Sequence, residues 1–349
     1  MHRVPITVSF DALDTLIQIT HGLGCQYRSS YAAFLQDHGV DLDASCPSAT
    51  CALIQELALK AIRDQVSVDR ARWTRSADSK EMPIGGDTDE ELSSFWSRVL
   101  RQTFNSPRLY EGAATDVVQR IQAMWTHQQS EVRRFEEYVL FDQFGSTTAY
   151  RWCPEGFRTL HSLREWSRKQ LGRVESAKRS VSVERAPASF LESAPLVSAA
   201  PAPVLFLAEP PFVVTNMDPR IRSVFARLGA LEPGARGEPP LLSRVISARD
   251  VGYAKPSPVG ILTGIRDAAD AYRATCGSDG GACRPGVDAH LHVHVGDAEA
   301  DRAACKRAEC HYLKCDPVRG ATWESLHTKL RELEALCGAA PRSSTDTSG

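Results

Sequence analysis

The chain has 349 residues, of which 42% are hydrophobic and 24% charged, and its formal net charge is −2. This is globular composition without the basic surplus of a nucleic-acid-binding protein or the basic amphipathic stretch of a membrane-surface protein. No apolar run approaches the roughly 18 residues of a membrane-spanning helix. Strand-like residues begin by Val4, which leaves little room for a targeting peptide. We therefore expect a cytoplasmic protein that binds neither nucleic acid nor membranes.

The ten cysteines are more than is usual for this length. Because no signal peptide points to an oxidising compartment, we expect free thiols instead of disulfides. The densest set is Cys305, Cys310 and Cys315, whose spacing is not the paired Cys-x-x-Cys of a structural zinc site. Thiols without a metal role are therefore the favoured interpretation.

The first predicted strand runs directly into a carboxylate. In the segment ITVSFDALDTLI an apolar strand ends at Asp11, and a second carboxylate, Asp14, follows three positions later. Apolar residues at helical spacing then continue to about residue 149, beginning with Tyr27, Tyr31 and Phe34. Such aromatic stripes usually form a core, so a long helical region is expected after the first strand.

Between about residues 170 and 210 the composition shifts to Ser, Ala, Pro and basic residues, with no visible period. We interpret this segment as a flexible surface insertion. Its basic patch of Lys178, Arg179 and Arg185 offers a surface for a protein partner. A solvated loop without a partner is the favoured alternative.

After this segment, predicted strands and helices alternate. Residues 212–216, 245–247 and 291–295 are strand-like, and helical periods occupy 219–228 and about 258–272. Repeated strand–helix units predict an α/β fold, a parallel sheet between two layers of helices. Ligands of such sheets bind at the carboxyl ends of the strands.

Polar residues lie at the ends of the predicted strands in chain order. They are Asp11 after the first strand, Thr215 at the end of the next, Lys255 in GYAKPSP, and Asp297 and Asp301 in VGDAEAD. Each is weak alone, since a strand-ending Asp is often only a helix cap. As an ordered set they predict a site at the carboxyl edge of the sheet.

This set resembles the motifs of the haloacid dehalogenase (HAD) superfamily, mostly phosphohydrolases with a Rossmann-like core. Within it, FDALDTL, TNMDPRI followed by FARLGAL, and GYAKPSP are most similar to the haloacid-dehalogenase-like hydrolase domain-containing subgroup. The helical region is similar to the cap that one large subgroup inserts between the first and second motifs. The resemblance implies a Rossmann-like core of residues 1–19 and 150–338 with the 170–210 insertion within it, a helical cap of residues 20–149, and a disordered tail of residues 339–349.

The resemblance also implies a role for each motif residue. Asp11 would be the nucleophile that forms an aspartyl-phosphate, while Lys255 and the Thr215 hydroxyl would neutralise and orient the phosphoryl group. The implied cofactor is Mg²⁺, which prefers hard oxygen ligands. Its implied ligands are Asp11, the backbone carbonyl of Leu13, Asp297 and Asp301. The implied partner is a small phosphorylated substrate.

The histidines of HLHVH raise an alternative metal site. His290, His292 and His294 alternate along a predicted strand and so share one face, as zinc ligands would. Because covered sheets are normally apolar on both faces, we expect this strand to be partly exposed or at an edge. Polar packing is favoured over zinc binding.

One position departs from the phosphatase pattern. Most phosphatases of the family read Asp-x-Asp-x-Thr, where the second Asp is the general acid and base, but here that position is Leu13. We expect Asp14, one residue further, to point away from the leaving oxygen and to occupy a turn with positive φ. The true dehalogenases also lack the second Asp, but generally work without metal and lack the full fourth motif.

Two functions follow from this departure. One is a Mg²⁺-dependent phosphohydrolase of low or specialised activity. The other is a catalytically impaired pseudoenzyme that binds phosphate or a protein partner. The nucleophile, the lysine and the metal carboxylates favour the enzyme, whereas Leu13 favours the pseudoenzyme.

Overall fold

The computed structural model describes residues 3–73, 88–183, 203–234, 237–275 and 291–339. The strands are β1 (Arg3–Phe10), β2 (Ile17–Ile19), β3 (Tyr150–Trp152), β4 (Val204–Leu207), β5 (Phe212–Thr215), β6 (Val245–Ser247), β7 (His292–Gly296) and β8 (His311–Lys314). The α-helices are α1 (Leu23–Asp37), α2 (Leu42–Ser45), α3 (Cys51–Trp73), α4 (Asp89–Phe104), α5 (Thr115–His127), α6 (Gln129–Glu137), α7 (Gly156–Val183), α8 (Ile221–Arg227), α9 (Ala248–Val251), α10 (Val259–Thr275), α11 (Glu299–Ala308) and α12 (Trp323–Ala339). A 3₁₀ turn spans Pro107–Tyr110, and a π-helical turn spans Tyr138–Gln143.

The central sheet is parallel, as the alternating strands and helices predict. Its main order is β6-β5-β1-β7-β8, and β4 also pairs with β1. The first half of β1 pairs with β4, while its last two residues pair with the start of β5. On the other side, Thr7 to Phe10 pair with β7. The first strand therefore lies in the middle of the sheet, and its carboxyl end lies between those of β5 and β7.

Both faces of the sheet are covered by helices. Alternate residues of a strand point to opposite faces, and along β5 they join different apolar clusters. Val213 packs in a cluster with Leu160 of α7 and Leu330 of α12. Val214 packs in another with Ile261 of α10. The predicted three-layer, Rossmann-like architecture is thus confirmed.

Helices α1 to α6 form a second body with its own aromatic core. Tyr31 stacks on Phe104 with ring centroids 4.1 Å apart, and Phe34 stacks on Phe135 at 4.7 Å. The expected core role of the Tyr27, Tyr31 and Phe34 stripe is confirmed, because all three are buried. The antiparallel pair β2–β3 lies where the chain leaves the sheet for these helices and where it returns from them. We call the helical region from α1 to Phe144, which follows the π-helical turn, the cap.

The prediction of an insertion over 170–210 is wrong at both ends. Helix α7 continues to Val183, and β4 is a fully buried strand that pairs with β1. The sequence does not predict β4 because its four apolar residues lie next to a segment of Ala and Pro residues. A strand covered on both faces also shows no alternation of apolar and polar residues. Residues 184–202 lie outside the described part, as do the 276–286 loop and the tail from residue 340.

The eight cysteines that the structure describes are free thiols, as expected. Within the described ranges, no helix combines the length and the apolar character that crossing a membrane requires.

Candidate active site

The predicted site residues gather at the carboxyl edge of the sheet. Asp11 follows β1, and its backbone N–H donates to the carbonyl of Val295 in β7 at 2.8 Å. Thr215 ends β5, and Asp297 follows β7. Because these three strands are neighbours in a parallel sheet, their ends deliver the side chains to one place. Lys255 reaches the same place from the loop after α9.

Lys255 lies at the centre of the site. Its Nζ donates to Oδ1 of Asp11 at 2.6 Å, to Oδ1 of Asp301 at 2.5 Å and to the carbonyl of Val214 at 3.1 Å. The lysine side chain is only 5% exposed. Burial disfavours its charge, but the two carboxylates outweigh burial and raise the pKa of Lys255. The ammonium therefore stays charged beside Asp11.

The loop that carries Lys255 is anchored to the end of β5. Asn216 Oδ1 accepts from the backbone N–H of Lys255 at 2.6 Å, and Asn216 Nδ2 donates to the Lys255 carbonyl at 3.1 Å. The neighbouring Thr215 hydroxyl accepts from the N–H of Met217 at 3.1 Å. A hydroxyl that accepts one bond still has its own hydrogen to donate, so Thr215 can donate to a bound oxygen.

Three carboxylates at this edge suit a divalent cation. Asp11, Asp297 and Asp301 each offer an oxygen, and these oxygens lie within 4.8 Å of one another. Burial, with the added charge of Asp11, raises the pKa of Asp297. A cation with hard-oxygen preference would relieve this crowding of negative charge. Leu13 lines the adjacent cavity, and its carbonyl as a further ligand stays a prediction.

Asp301 differs from the other two carboxylates because its oxygens already have protein partners. Oδ1 accepts from Lys255 and from His294, and Oδ2 accepts from the N–H of Ala298 at 3.2 Å. Burial opposes its charge, yet the His294 hydrogen bond and the Lys255 charge hold the pKa of Asp301 well below its usual range. These bonds favour Asp301 as the support of Lys255 more than as a direct metal ligand.

Gly296 makes room for this carboxylate. A Cβ on Gly296 would lie 2.5 Å from the carboxyl carbon of Asp301, closer than real Cβ contacts allow. The glycine of VGDAEAD is therefore required by the close approach of α11 to the end of β7.

A buried chain of hydrogen bonds leads from Asp301 into the sheet. His294 Nε2 lies 3.1 Å from Asp301 Oδ1, and His294 Nδ1 lies 2.7 Å from Ser9 Oγ. Ser9 Oγ also contacts His292 Nε2 at 2.8 Å, and His292 Nδ1 contacts Thr7 Oγ1 at 2.7 Å. All four side chains are at most 1% exposed. We call Thr7, His292, Ser9 and His294 the buried polar chain.

The hydrogens of the buried polar chain can be assigned in one consistent direction. A carboxylate only accepts, so His294 Nε2 carries the hydrogen in its bond to Asp301. In the neutral tautomer, Nδ1 of His294 then accepts from Ser9, which in turn accepts from Nε2 of His292. Burial lowers the pKa of His292 well below its usual value, so that ring is neutral. Every donor then points toward Asp301, which is held as an anion opposite Lys255.

The expectation that the histidine strand is exposed or at an edge is wrong. β7 lies between β1 and β8, and all its residues are buried. The histidines are tolerated there because Thr7 pairs in register with His292 and Ser9 with His294. These hydrogen bonds agree with polar packing, while His290 lies outside the described residues. Matching polar alternation in ITVS and HVHV was the signal that could have revealed this partnership.

The buried polar chain gives a first testable prediction. Ser9→Ala leaves two buried ring nitrogens without a partner, so we expect the free energy of unfolding to fall by about 1–3 kcal/mol. Urea denaturation measures it. The control is Ser223→Ala on α8, where the serine is exposed and the expected change is within about 0.5 kcal/mol. Equal stability of Ser9→Ala and wild type would show that the buried polar chain does not contribute to the free energy of unfolding.

A cavity of about 660 Å³ opens above the site, between the sheet and the cap. Arg220 ties its two sides together. The guanidinium pairs with Asp218 at 2.6 Å, donates to the carbonyl of Leu140 in the cap, and lies over the ring of Phe141 at 5.8 Å from its centroid. These contacts of Arg220 link the core to the cap beside the cavity.

The turn after β1 has the predicted geometry. Asp14 has φ of 57°, the positive value expected for it, and its N–H donates to the carbonyl of Ile17 at 2.7 Å. Leu13 and Asp14 both line the cavity. Burial, with the charges of Asp297 and Asp11, raises the pKa of Asp14 to about 6. Asp14 is therefore a second candidate for proton transfer, and its direction away from the leaving oxygen stays a prediction.

Fold and site together define a Rossmann-like α/β protein with a helical cap over a carboxylate–lysine centre. Neither a protein-family model nor a curated protein matches the sequence. Solved structures similar to the chain include a 2-haloacid dehalogenase from Pseudomonas syringae pv. Tomato DC3000, at 16% identity and a TM-score of 0.42 over 95% of this chain and 100% of the other. The magnesium-bound HAD-hydrolase YfnB from Bacillus subtilis matches at 14% identity and a TM-score of 0.42 over 94% and 100%.

Proposed function

We propose that the chain is a Mg²⁺-dependent HAD-like phosphohydrolase of low or specialised activity, acting on a small phosphorylated metabolite through an aspartyl-phosphate. The observation that carries the proposal is the Lys255 ammonium, which bridges Asp11 and Asp301 at the carboxyl edge of the sheet. Transfer of a phosphoryl group at this edge of the sheet needs both a nucleophile and a positive charge. The three-carboxylate cluster favours a metal-dependent reaction over dehalogenation.

The first chemical step would belong to Asp11. One carboxylate oxygen attacks phosphorus, and the bond from phosphorus to the alcohol oxygen breaks, with the electron pair staying on that oxygen. Lys255 leaves its bond with Asp11 to neutralise the phosphoryl oxygens, and Thr215 donates to one of them. Water then attacks phosphorus, and the bond to Asp11 breaks with its electron pair returning to the carboxylate. One hydrogen of the water stays on the inorganic phosphate that leaves, and the other passes through solvent to the departed oxygen. Bound Mg²⁺, held by Asp11 and Asp297 with Asp301 nearby, would supply further positive charge for the phosphoryl oxygens.

Leu13 sets the limit on this activity. A positioned acid and base typically contributes about 10²–10⁴-fold to the rate. Leucine can neither protonate the departing oxygen nor activate the water. Substrates whose leaving group is stable as an anion would lose least, so phenolic esters should react better than ordinary alkyl esters.

A second candidate function is a phosphate- or protein-binding pseudoenzyme. The same Leu13 supports it, because the charges that bind phosphate are present while the usual proton donor is not. The two functions differ in turnover: the enzyme releases inorganic phosphate in a Mg²⁺-dependent manner, and the pseudoenzyme binds without releasing it. A screen of phosphorylated metabolites with and without Mg²⁺ distinguishes them.

The metal assignment predicts that Asp297→Asn binds Mg²⁺ at least about tenfold more weakly than wild type, because one anionic ligand is lost. Calorimetric titration of Mg²⁺ measures the affinity. Asp270→Asn is the control, since Asp270 is exposed on α10 and pairs with Arg273. Equal Mg²⁺ affinity of Asp297→Asn and wild type would refute the site.

A further inference from the structure

The cap side of the cavity is mainly apolar. It is contributed by several helices, and its principal side chains are Leu23, Leu59, Ile62, Leu92, Trp96 and Phe144. The cavity volume of about 660 Å³ falls in the range of sites for small organic ligands, and a phosphoryl group alone would fill only a small part of it. A ligand anchored at Lys255 therefore extends against an apolar wall.

Several polar side chains that line the cavity are already bonded within the protein. Gln18 donates to the carbonyls of Pro317 and Val318, both at 2.8 Å. Asn216 is bonded to the backbone of Lys255 on both its amide atoms, and Arg220 is bonded to Asp218. Trp96 Nε1, which also lines the cavity, is buried without a hydrogen-bond partner in the described part of the chain and can donate to one oxygen of a ligand. A ligand rich in hydroxyl groups would still lose water from the hydroxyls that lie against the apolar wall. An apolar group loses no hydrogen bonds and gains the burial of its surface.

We propose, resting on the proposed function, that the site takes phosphomonoesters of an apolar aromatic alcohol or phenol. The phosphoryl group lies at Asp11 and Lys255, and the aromatic group lies against the cap near Trp96. The absence of an acid at Leu13 agrees with this class, because a phenolate leaves without prior protonation more readily than an alkoxide. The mainly apolar wall favours this class over sugar phosphates of similar size.

Binding of unreactive phosphonates in the presence of Mg²⁺ tests the proposal independently of turnover. We expect phenylphosphonate to bind about 10- to 100-fold more tightly than methylphosphonate, the ratio expected for burying one phenyl-sized side chain. Glucose 6-phosphate, measured with the nucleophile variant Asp11→Asn to prevent turnover, should bind no better than methylphosphonate does to that variant. Calorimetry measures all three affinities.

Two leucines of matched exposure provide the variant and its control. Leu59 in α3 lines the cavity and Leu262 in α10 does not, and each is 41% exposed, so neither substitution removes a core residue. Leu59→Gln should reduce the phenyl-to-methyl affinity ratio at least about threefold, since it removes roughly one to two methylene contacts. Leu262→Gln should leave the ratio unchanged.

The outcomes separate this inference from the proposed function. A phenyl-to-methyl ratio near one, tighter binding of glucose 6-phosphate, no phosphonate binding, or equal ratios for the Leu59 and Leu262 variants would overturn the inference. Hydrolysis of p-nitrophenyl phosphate is measured separately and tests the phosphatase function. If that hydrolysis fails while the ratio and the Leu59 effect hold, the apolar cavity stands and the phosphatase does not. If hydrolysis occurs with a ratio near one, the phosphatase stands and the aromatic class fails.

Discussion

We expect Leu13→Asp to raise Mg²⁺-dependent hydrolysis of an aryl phosphate by up to about 10²–10⁴-fold, the usual contribution of a positioned acid and base. Leu13 lies two residues after Asp11 and lines the same cavity, so we expect a carboxyl group there to reach the departing oxygen. Asp11, Lys255 and the carboxylate cluster are already assembled beside it. Steady-state kcat/KM measures the gain.

The control for this substitution is Leu13→Asn, which has nearly the shape of aspartate but transfers no proton. A gain confined to Leu13→Asp identifies proton transfer as the missing function. An equal gain in Leu13→Asn would assign the effect to polarity or size. If Leu13→Asp folds and binds Mg²⁺ but shows no increase in kcat/KM, the result favours the phosphate- or protein-binding pseudoenzyme.

Asp14 is the competing acid and base, because it lines the cavity and because burial, with the charges of Asp297 and Asp11, raises its pKa to about 6. We nevertheless expect Asp14→Ala to change the wild-type rate far less than Asp11→Asn, which should abolish it. Asp14 lies three residues after Asp11 and forms part of a turn, in which its φ is positive. Should Asp14→Ala be as inactive as Asp11→Asn while remaining folded by circular dichroism, Asp14 would be the acid and base.

The second large effect is expected for Lys255→Met. Removal of the ammonium leaves Asp301 buried and unpaired on one side, and breaking a buried ion pair costs about 3–5 kcal/mol of unfolding free energy. The same change removes the positive charge that a phosphoryl group needs, so kcat/KM should fall by at least about 10²–10³-fold. Urea denaturation and steady-state kinetics measure the two losses.

A double variant separates these two contributions. Adding Asp301→Asn to Lys255→Met removes the uncompensated charge, so part of the lost stability should return while the activity does not. Lys60→Met is the matched control, because Lys60 pairs with Asp64 on the surface, where ion pairs contribute at most about 1 kcal/mol. Strictly additive losses in the double variant would mean that Lys255 and Asp301 do not stabilise each other.

Much of the fold could be predicted because the inner strands are apolar runs that end on polar residues. This pattern located β1, β5, β6 and β7 in order and with it the carboxyl edge. β4 is not predicted, because it follows a segment of Ala and Pro residues. β8 reads HYLK and is only partly buried, so it carries neither a continuous apolar run nor a clear alternation. Strands without a local pattern are defined by their neighbours in the sheet.

The site could be predicted as far as its motifs are local. Asp11, Lys255 and Asp297 each follow a recognisable segment, and the structure places them together. The buried polar chain could not be derived in this way, because it depends on the register between β1 and β7, whose residues lie about 285 positions apart in sequence. The contact of Arg220 with the cap likewise depends on how the cap packs against the sheet.

Trapping the covalent intermediate tests most directly whether Asp11 is the nucleophile. Because Leu13 offers no base to activate the water, the aspartyl-phosphate should persist long enough for an acid quench after reaction with p-nitrophenyl phosphate and Mg²⁺. Mass spectrometry should then find one phosphoryl group on the peptide that contains Asp11, and none in Asp11→Asn. Release of phosphate without a phosphorylated Asp11 peptide, or a phosphoryl group on another residue, would contradict the mechanism.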